Sequence, residues 1–313
     1  MITEAATPED PDRLIELDSD AAPPALIADY LKQDFVVLVR NVTPDRVDSH
    51  LQAVAGQLGL LEGLRLQASY ASLLRHRQRV GEYRMTVNQR SDYQFIPPHC
   101  EGPSHVNMQL ASFYCVENST DGGVTLLFNI DESSEVWGIL RERVTRIASG
   151  SRLLTAGELR RARGLYQLGD AVEVLPDDRI ICERPTDISG LVLVDVLARA
   201  RKTRSHILGR ETFAYWVTIA IVDHDPLPFF VSHLQQAKLL IQQPGCLDFL
   251  KLDNAASQRI WNSGADYNML FRCKVIRKLA PGELLLHNNL TWAHSASNWT
   301  PESGRREVFA AFA

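Results

Sequence analysis

The segment around residue 100 places an imidazole and a carboxylate two residues apart, as His99-Cys100-Glu101. In an extended strand residues i and i+2 point the same way, so His99 and Glu101 can converge on one ion while Cys100 faces the opposite side. A second imidazole from a distant part of the chain would complete a set of two histidines and one carboxylate. Our hypothesis takes His294 as that ligand. Such a set suits a non-haem iron(II) ion and leaves positions on it open.

The His-x-Glu pair alone is a weak signal. With nine histidines and 38 acidic residues among 313, about one pair of this spacing is expected by chance, and His99 is the only histidine that has one. A lone histidine is also more often structural than a metal ligand. The prediction of a metal site therefore depends on the segments around the pair.

Composition narrows the class of protein. A chain of 313 residues with 45% hydrophobic content can bury a sizeable core, and we favour one domain over two. The net charge of −5 argues against nucleic-acid binding. Five scattered cysteines without a Cys-x-x-Cys pair suggest neither a disulfide framework nor a structural zinc site. Without a signal-peptide pattern or an apolar run of about 18 residues, we expect a cytoplasmic protein with no membrane contact.

The apolar patterns predict a fold of the α+β or mainly β class. Residues 1–20 are expected to be a loosely ordered tail, and residues 21–313 a single domain. Helical spacing and a continuous β-branched run predict a helix, a buried strand (Phe35–Val39) and a second helix between residues 24 and 59. Further strands are predicted over residues 108–116, 124–129, 267–279, 284–286 and 305–312. Strands joined by polar turns suit an antiparallel barrel or jelly roll.

The middle of the chain, from about 130 to 265, is predicted to be a largely helical insertion. The pattern there predicts helices over residues 131–149, 230–243 and 246–261, helical or mixed segments over 159–168 and 192–200, and a strand over 215–222. Within it lies a basic cluster, for which a solvated face is the ordinary interpretation and a patch for an anionic substrate or a carrier protein the alternative. The cluster comprises Arg199, Arg201, Lys202, Arg204 and Arg210.

The arginine-rich stretch over residues 75–90 lacks clean periodicity. We predict a loop or lid there, containing one strand over residues 83–87. Asn88, Tyr93 and Gln94 lie just before the proposed ligands and are candidates to line a substrate pocket. Ordinary loop polarity explains these three residues equally well.

Together these segments resemble the Fe(II)/2-oxoglutarate-dependent dioxygenases of the taurine dioxygenase and clavaminate synthase-like superfamily. Four blocks carry the likeness, and they stand in the family's order along the chain. They are the helix-strand-helix segment from Ile27 to Gly59, His99-Cys100-Glu101, the Gly-Gly-x-Thr strand from Gly122 to Asn129, and Pro281 through His294 to Arg306. The resemblance implies a double-stranded β-helix core, the distorted jelly roll of this superfamily, with flanking helices.

The resemblance also implies a role for each matched position. His99, Glu101 and His294 would bind iron, and the hydroxyl of Thr125 would donate to the distal carboxylate of 2-oxoglutarate. An arginine about a dozen residues beyond the second histidine would pair with that carboxylate through its rigid fork of donors. His287 does not match a ligand position and is expected to be structural or to support the site.

Two arginines stand at the position implied for the carboxylate partner. If Arg306 faces inward, alternation along the strand places apolar residues beside it, including Val308 and Phe312. If Arg305 faces inward, Glu307 goes inward with it. Arg306 is therefore the better candidate.

The implied activity is hydroxylation of an unactivated C–H bond of a small molecule, with 2-oxoglutarate and dioxygen consumed and succinate and carbon dioxide released. Glu101 in place of the commoner Asp resembles the clavaminate synthase and amino-acid hydroxylase branch, which indicates an amino-acid-like or natural-product substrate. Asn288-Asn289-Leu290 replaces the family's common Asp-Asn-Arg. Three alternatives stay open: a desaturase or cyclase on the same iron, an inactive jelly roll that binds a small molecule or metal, and a zinc hydrolase.

Overall fold

The computed structural model describes residues 7–74, 77–87, 96–149, 155–166, 168, 173–242 and 259–313. Its strands are β1 (Leu14–Asp18), β2 (Val36–Arg40), β3 (Met85–Thr86), β4 (Ile96–His99), β5 (Leu110–Asn118), β6 (Thr125–Ile130), β7 (Arg141–Ser149), β8 (Arg179–Pro185), β9 (Leu191–Arg199), β10 (Thr203–Ser205), β11 (Arg210–Thr212), β12 (Phe271–Arg277), β13 (Leu284–Asn288), β14 (Trp292–Ala296) and β15 (Arg306–Phe312). Its α-helices are α1 (Pro24–Lys32), α2 (Val47–Gln57), α3 (Leu61–Leu74), α4 (Ala156–Tyr166), α5 (Val217–Ala220) and α6 (Pro226–Gln236).

Two sheets form the centre of the molecule. One has six strands in the order β1-β2-β13-β5-β15-β3, and the other has four in the order β12-β6-β14-β4. The strands pair antiparallel except for β1 and β2, which are parallel. One apolar cluster contains Leu38 and Cys115 from the larger sheet and Leu127, Val275 and Trp292 from the smaller. The two sheets therefore pack face to face.

Helices cover the outer faces of both sheets. Ile27 and Leu31 lie one helical turn apart on α1 and are buried with Val37 and Leu286 against the six-stranded sheet. On the other side, α6 packs against the four-stranded sheet in the cluster that contains Phe128. Because both faces of the central strands are covered, their sequences are continuous apolar runs and do not alternate between apolar and polar residues.

Most strand predictions outside the middle of the chain are confirmed. The predicted helix-strand-helix segment corresponds to α1, β2 and α2, and the predicted strands at 108–116, 124–129, 284–286 and 305–312 correspond to β5, β6, β13 and β15. The predicted strand at 267–279 begins as a 3-10 helix, Tyr267–Leu270, and continues as β12. The strand predicted over 83–87 is the shorter β3.

The prediction of a loosely ordered tail over residues 1–20 is wrong for the described part of that segment. β1 pairs with β2 in parallel register, with Leu14 opposite Val36. Thr7 is buried, and its backbone N–H donates to Nε2 of His233 at 3.2 Å. These contacts use backbone groups and one distant histidine, which the acidic, proline-containing composition of the segment does not reveal.

The prediction of a largely helical insertion is also wrong. β7, β9 and β8 form a three-stranded antiparallel sheet, and β10 and β11 form a hairpin, alongside helices α4, α5 and α6. Val144 and Ile147, three residues apart, would share one face of the predicted helix over 131–149. In β7 they enter clusters on opposite faces of the sheet, because this strand is covered on both sides.

The other predictions in this region have mixed outcomes. The segment at 159–168 is helical as α4, and 192–200 is the strand β9. The strand predicted over 215–222 is wrong, since Val217–Ala220 form α5 despite their β-branched side chains. The helix predicted over 230–243 is α6, which starts earlier at Pro226, a residue suited to the first helical turn. The helix predicted over 246–261 falls mostly outside the described residues.

No helix among the described residues is long and apolar enough to cross a membrane.

The turn that leads from β5 into β6 depends on glycine at residue 122. A Cβ on Gly122 would lie 1.9 Å from the carbonyl oxygen of Asn298. Gly304 is equally confined, since a Cβ there would lie 2.5 Å from the carbonyl carbon of Ser119. These close backbone contacts fix the start of β6 against the segments that follow β14.

Replacing Gly122 by alanine is expected to lower the free energy of unfolding by about 1–3 kcal/mol, the usual cost of forcing extra volume into a packed region. Gly56 is the matched control, because it is exposed in α2 and a Cβ there meets no atom within 4 Å. Gly56→Ala is expected to raise the free energy of unfolding by about 0.5–1 kcal/mol, since alanine favours a helix. Urea denaturation measures both values, and equal effects would contradict the close contact at Gly122.

Candidate metal centre

Two paired strands bring the two histidines together. β4 and β14 run antiparallel, and His99 is directly opposite His294 in their register. The ring centroids are 4.6 Å apart, and the ring planes are inclined by 59°. On its other side β14 pairs with β6, which places Leu127 opposite His294. Because Leu127 belongs to the core between the sheets, His294 also faces that space.

Glu101 follows β4 directly after Cys100, which forms a parallel bridge with Trp216. The N–H of Cys100 donates to the carbonyl of Tyr215 at 2.7 Å, and the carbonyl of Cys100 accepts from the N–H of Val217 at 3.0 Å. The Cys100 side chain lies in the cluster behind the four-stranded sheet, away from the histidines. The predicted alternation is therefore confirmed, with Glu101 on the same side as His99.

The three side chains present their donor atoms to one point. Oε2 of Glu101 lies 3.9 Å from Nε2 of His99 and 3.8 Å from Nε2 of His294. The three donor atoms all lie within 4.8 Å of one another. Donor atoms this close could reach one shared ion through bonds of about 2 Å after small side-chain movements.

The second nitrogen of His99 supports this arrangement. Its Nδ1 lies 2.9 Å from the carbonyl oxygen of Pro97. A proton on Nδ1 that donates to this carbonyl leaves Nε2 with its lone pair directed at the proposed ion, which is the usual orientation of a metal-ligating histidine. Nδ1 of His294 has no hydrogen-bond partner among the described residues. The donor set and the His99 contact both fit a divalent metal ion.

The protonation states also suit metal binding. Burial, followed by the proximity of His294, lowers the pKa of His99 to about 4, so its imidazole is neutral near pH 7. Burial alone would raise the pKa of the Glu101 carboxyl, but the contact with His294 and the charge of Arg77 outweigh burial and hold that pKa well below its usual range. A neutral imidazole and an ionised carboxylate are the forms that bind a metal.

Two residues that contact Glu101 in the structure were not predicted to do so from the sequence. Nη2 of Arg77 donates to Oε1 of Glu101 at 2.8 Å. The side-chain oxygen of Asn289 accepts from the Glu101 N–H at 2.9 Å, and its NH₂ group donates to the carbonyls of Glu101 at 3.1 Å and of Met108 at 2.9 Å. Asn289 belongs to the triplet that departs from the family pattern, and its buried amide fixes the backbone of Glu101. The sequence carried no signal that pairs either residue with Glu101.

Aromatic residues border the histidines on the side of the six-stranded sheet. The ring of Phe113 lies 5.0 Å from that of His294, and the ring of Phe312 lies 6.3 Å from it. His287 is fully buried, 5.5 Å from the His294 ring and 5.8 Å from Phe113. His287 thus contacts a proposed ligand without joining the three converging donors, as predicted.

Thr125 and Arg306 occupy the first positions of their strands. Thr125 is buried in β6 and lies opposite Ala296 of β14. It shares a side of β6 with Leu127, between the two sheets. Its hydroxyl makes no hydrogen bond within the described part of the chain, so that group is available to a ligand.

Arg306 reaches inward past Gly123. Its Nε donates to the Gly123 carbonyl at 3.4 Å, and a Cβ on Gly123 would lie 2.8 Å from Cδ of Arg306. The guanidinium lies 5.6 Å from the ring centroid of Trp299. Burial lowers the pKa of Arg306 to about 10, so the side chain is still charged near pH 7. Among the residues that the structure describes, no carboxylate forms an ion pair with it.

Arg305 points the other way. Its side chain is 68% exposed and pairs with Glu117 and Glu307. Val308 and Phe312, which alternate with Arg306, are buried. The choice of Arg306 over Arg305 as the inward-facing residue therefore agrees with the structure.

The remaining candidate residues fall into two groups. Asn88, Tyr93 and Gln94 lie outside the described residues. In the basic cluster, Arg199 and Arg201 lie 3.6 and 3.7 Å from Asp177, and Arg210 lies 2.7 Å from Glu132. These pairs fit the interpretation of the cluster as a solvated face with its own counter-ions.

Comparisons with known proteins found remote similarity to solved structures. No protein-family model and no curated protein matches the chain. Similar solved structures include AAD-2 in complex with Mn(II) and N-oxalylglycine, at 14% identity over 92% of this chain and 86% of that one, with a TM-score of 0.39. A structure from Burkholderia xenovorans, described as an alpha-ketoglutarate dependent 2,4-D dioxygenase, has 12% identity over 98% and 96%, with a TM-score of 0.38. The non-heme iron oxygenase OrfP in complex with Fe and L-Arg has 13% identity over 91% and 78%, with a TM-score of 0.36.

Proposed function

We propose that this protein is an Fe(II)/2-oxoglutarate-dependent oxygenase that hydroxylates an unactivated C–H bond of a small amino-acid-like or natural-product substrate. The observation that carries the proposal is the convergence of one donor atom each from His99, Glu101 and His294 within 4.8 Å. Two imidazoles and one carboxylate on one side of an iron ion leave positions for a cosubstrate and dioxygen.

We also infer that the two facing sheets are the double-stranded β-helix of this superfamily. Their antiparallel pairing and shared apolar core support the inference. In this view the chain forms one domain, and because β1 pairs with β2, that domain includes β1 as well as the predicted range of 21–313.

The polar groups of Thr125 and Arg306 support 2-oxoglutarate as the cosubstrate. Thr125 lies two residues from Leu127 along β6, about 7 Å, and Leu127 is opposite His294. Arg306 contacts Gly123, two residues before Thr125, so its guanidinium belongs to the same end of the space between the sheets. A dicarboxylate that reaches from the ion to this end would meet one hydroxyl and one cation without a counter-ion among the described residues. A zinc hydrolase with the same three ligands would have no evident use for them.

In the proposed reaction each residue has a definite task. His99, Glu101 and His294 hold the ion from one side, while Arg306 and Thr125 bind the distal carboxylate and so orient the cosubstrate. Phe113 and Phe312 border the ion with apolar surface and exclude water. When bound, iron, 2-oxoglutarate and dioxygen would supply the oxidising chemistry: one oxygen atom of dioxygen enters succinate as the keto acid loses carbon dioxide, and the other oxygen atom is inserted into a C–H bond of the substrate.

Metal binding by the three ligands can be tested directly. Metal-free protein is expected to bind one Fe(II) or Mn(II) per chain under anaerobic conditions, as measured by calorimetry. His99→Ala, Glu101→Ala and His294→Ala each remove a direct ligand, so each should weaken binding by more than the about 10- to 100-fold that loss of an outer contact costs. His224→Ala is the control, because His224 is exposed and distant in sequence from the site. Equal affinity in all four variants would refute the metal centre.

The reaction class is tested by product formation. Iron-loaded protein with dioxygen is expected to convert 2-oxoglutarate slowly to succinate even without the true substrate, as quantified by mass spectrometry. His294→Ala should reduce the rate to the level of free iron, since no ion is held beside the cosubstrate. Dioxygen-independent loss of 2-oxoglutarate, or an equal rate in His294→Ala, would contradict an oxygenase.

The neighbouring residues Arg305 and Arg306 allow a matched test of 2-oxoglutarate binding. Arg306→Met is expected to raise the Kd of Mn(II)-loaded protein for 2-oxoglutarate by about 10- to 100-fold, because a hydrogen bond to a charged group contributes about 1.5–3 kcal/mol. Thr125→Val removes a neutral donor and should have a smaller effect of about 2- to 10-fold. Arg305→Met should leave the Kd unchanged, since that side chain is exposed and paired outside the site. Anaerobic calorimetry gives all three values, and a larger effect for Arg305 would reverse the assignment.

A further inference from the structure

Arg77 is the one cation paired with a proposed metal ligand among the described residues. Nη2 of Arg77 donates to Oε1 of Glu101 at 2.8 Å, and the two side chains are only 9% and 19% exposed. We propose that Arg77 is a positioning residue that occupies one oxygen of Glu101, so that the carboxylate binds the ion through Oε2 alone. This inference rests on the metal centre proposed above.

The two oxygens of Glu101 have separate partners. Oε1 accepts from Arg77, whereas Oε2 is the oxygen that lies 3.9 and 3.8 Å from the two Nε2 atoms of His99 and His294. A carboxylate can bind a cation through one oxygen or both. An ion placed beside Oε2 and the imidazoles leaves the contact between Arg77 and Oε1 intact. Binding through both oxygens would instead require Oε1 to give up a charge-assisted hydrogen bond with little exposure to water.

Arg77 has further contacts besides Glu101. Its guanidinium lies 4.9 Å from the ring centroid of Phe312, and Nη1 lies 3.9 Å from the sulfur of Met85. A cation against an aromatic face is attracted to it, and the attraction is stronger where water is excluded. The guanidinium is thus held by an aromatic ring as well as by a carboxylate.

A short hairpin fixes the backbone near Arg77. The N–H of Thr86 donates to the carbonyl of Gln78 at 2.8 Å, and β3 pairs with β15, with Thr86 opposite Phe309. Asp48 of α2 accepts from the N–H of Glu82 at 2.9 Å and from the guanidinium of Arg84. These contacts tie the hairpin to the same strand that carries Phe312. The position of Arg77 therefore does not depend on a bound ion.

Single-oxygen binding by Glu101 has a consequence for the open positions. An octahedral ion with three protein donor atoms has about three positions left, whereas a carboxylate bound through both oxygens would leave about two. A keto acid that chelates through two atoms needs two of these positions, and dioxygen needs another. Arg77 would therefore keep the last position open without touching substrate or dioxygen.

Water-proton relaxation of the Mn(II)-loaded protein tests this role, because the enhancement reports the number of water molecules on the ion. Native protein is expected to retain about three waters. In Arg77→Met, Oε1 is free to turn to the ion, and the enhancement should fall by about a third as one water is lost. Arg77→Lys keeps a cationic donor and should remain close to native.

Arg79→Met is the matched control, because Arg79 lies in the same hairpin but is exposed and donates to the carbonyls of Gly81 and Glu82. Arg79→Met should show the same water-proton relaxation enhancement as native protein. Circular dichroism confirms that each variant is folded. If Arg77→Met does not fold, the native protein still decides, since about two waters there would overturn the proposal. A native enhancement in folded Arg77→Met would overturn it as well. Failure of native protein to bind Mn(II) at all would refute the metal centre itself, which is a separate outcome.

Discussion

The pairing of β4 with β14 is the constraint on which the rest of the site depends. It places His99 opposite His294, although the two residues are far apart in the chain. Direct neighbours across antiparallel strands have side chains about 5 Å apart, which is the separation at which two imidazoles can share an ion. Because β14 is also paired with β6 on its other side, it cannot shift register without moving Thr125 and Leu127 too. The two registers of β14 therefore set the positions of both the proposed metal ligands and the proposed cosubstrate contact.

Burial of charge imposes a second constraint. A carboxylate removed from water is costly unless it has hydrogen bonds and opposite charge nearby. Glu101 obtains both from Arg77, and its backbone is held by Asn289. These contacts allow an ionised carboxylate to exist beside apolar rings before any metal arrives. In a site of this kind, the ion would replace no existing partner of Oε1 and would complete the environment of Oε2.

The sequence predicted those features that depend on local periodicity. The alternation of residues in a strand was enough to place His99 and Glu101 on one side and Cys100 on the other, and to choose Arg306 over Arg305. The same reasoning failed for β7, because the buried Ile147 and the partly buried Val144 pack on opposite faces of a strand that is covered on both sides, and a spacing of three residues is also typical of one face of a helix. Arg77 could not be predicted, since its place depends on the pairing of β3 with β15 and not on any neighbour in sequence. The pairing of β1 could not be predicted for the same reason, because it depends on the free edge of β2 and not on the residues of β1 alone.

Arg77 and Arg306 differ in whether a described carboxylate already forms an ion pair with them, and this difference separates a structural role from a binding role. Arg77 and Arg306 are both cations near strand β15, and either could in principle attract a carboxylate ligand. Arg77 already has Glu101 as its partner and lies against Phe312, at the end of β15 where the histidines meet. Arg306 lies at the other end of the same strand, where no described carboxylate forms an ion pair with it and Glu117 and Glu307 pair with the exposed Arg305 instead. A dicarboxylate entering this space is therefore drawn with its distal end toward Arg306, because an additional anion beside Arg77 would have to compete with a hydrogen-bonded, largely buried ion pair. The difference in pairing between two chemically identical side chains gives the proposed cosubstrate its direction.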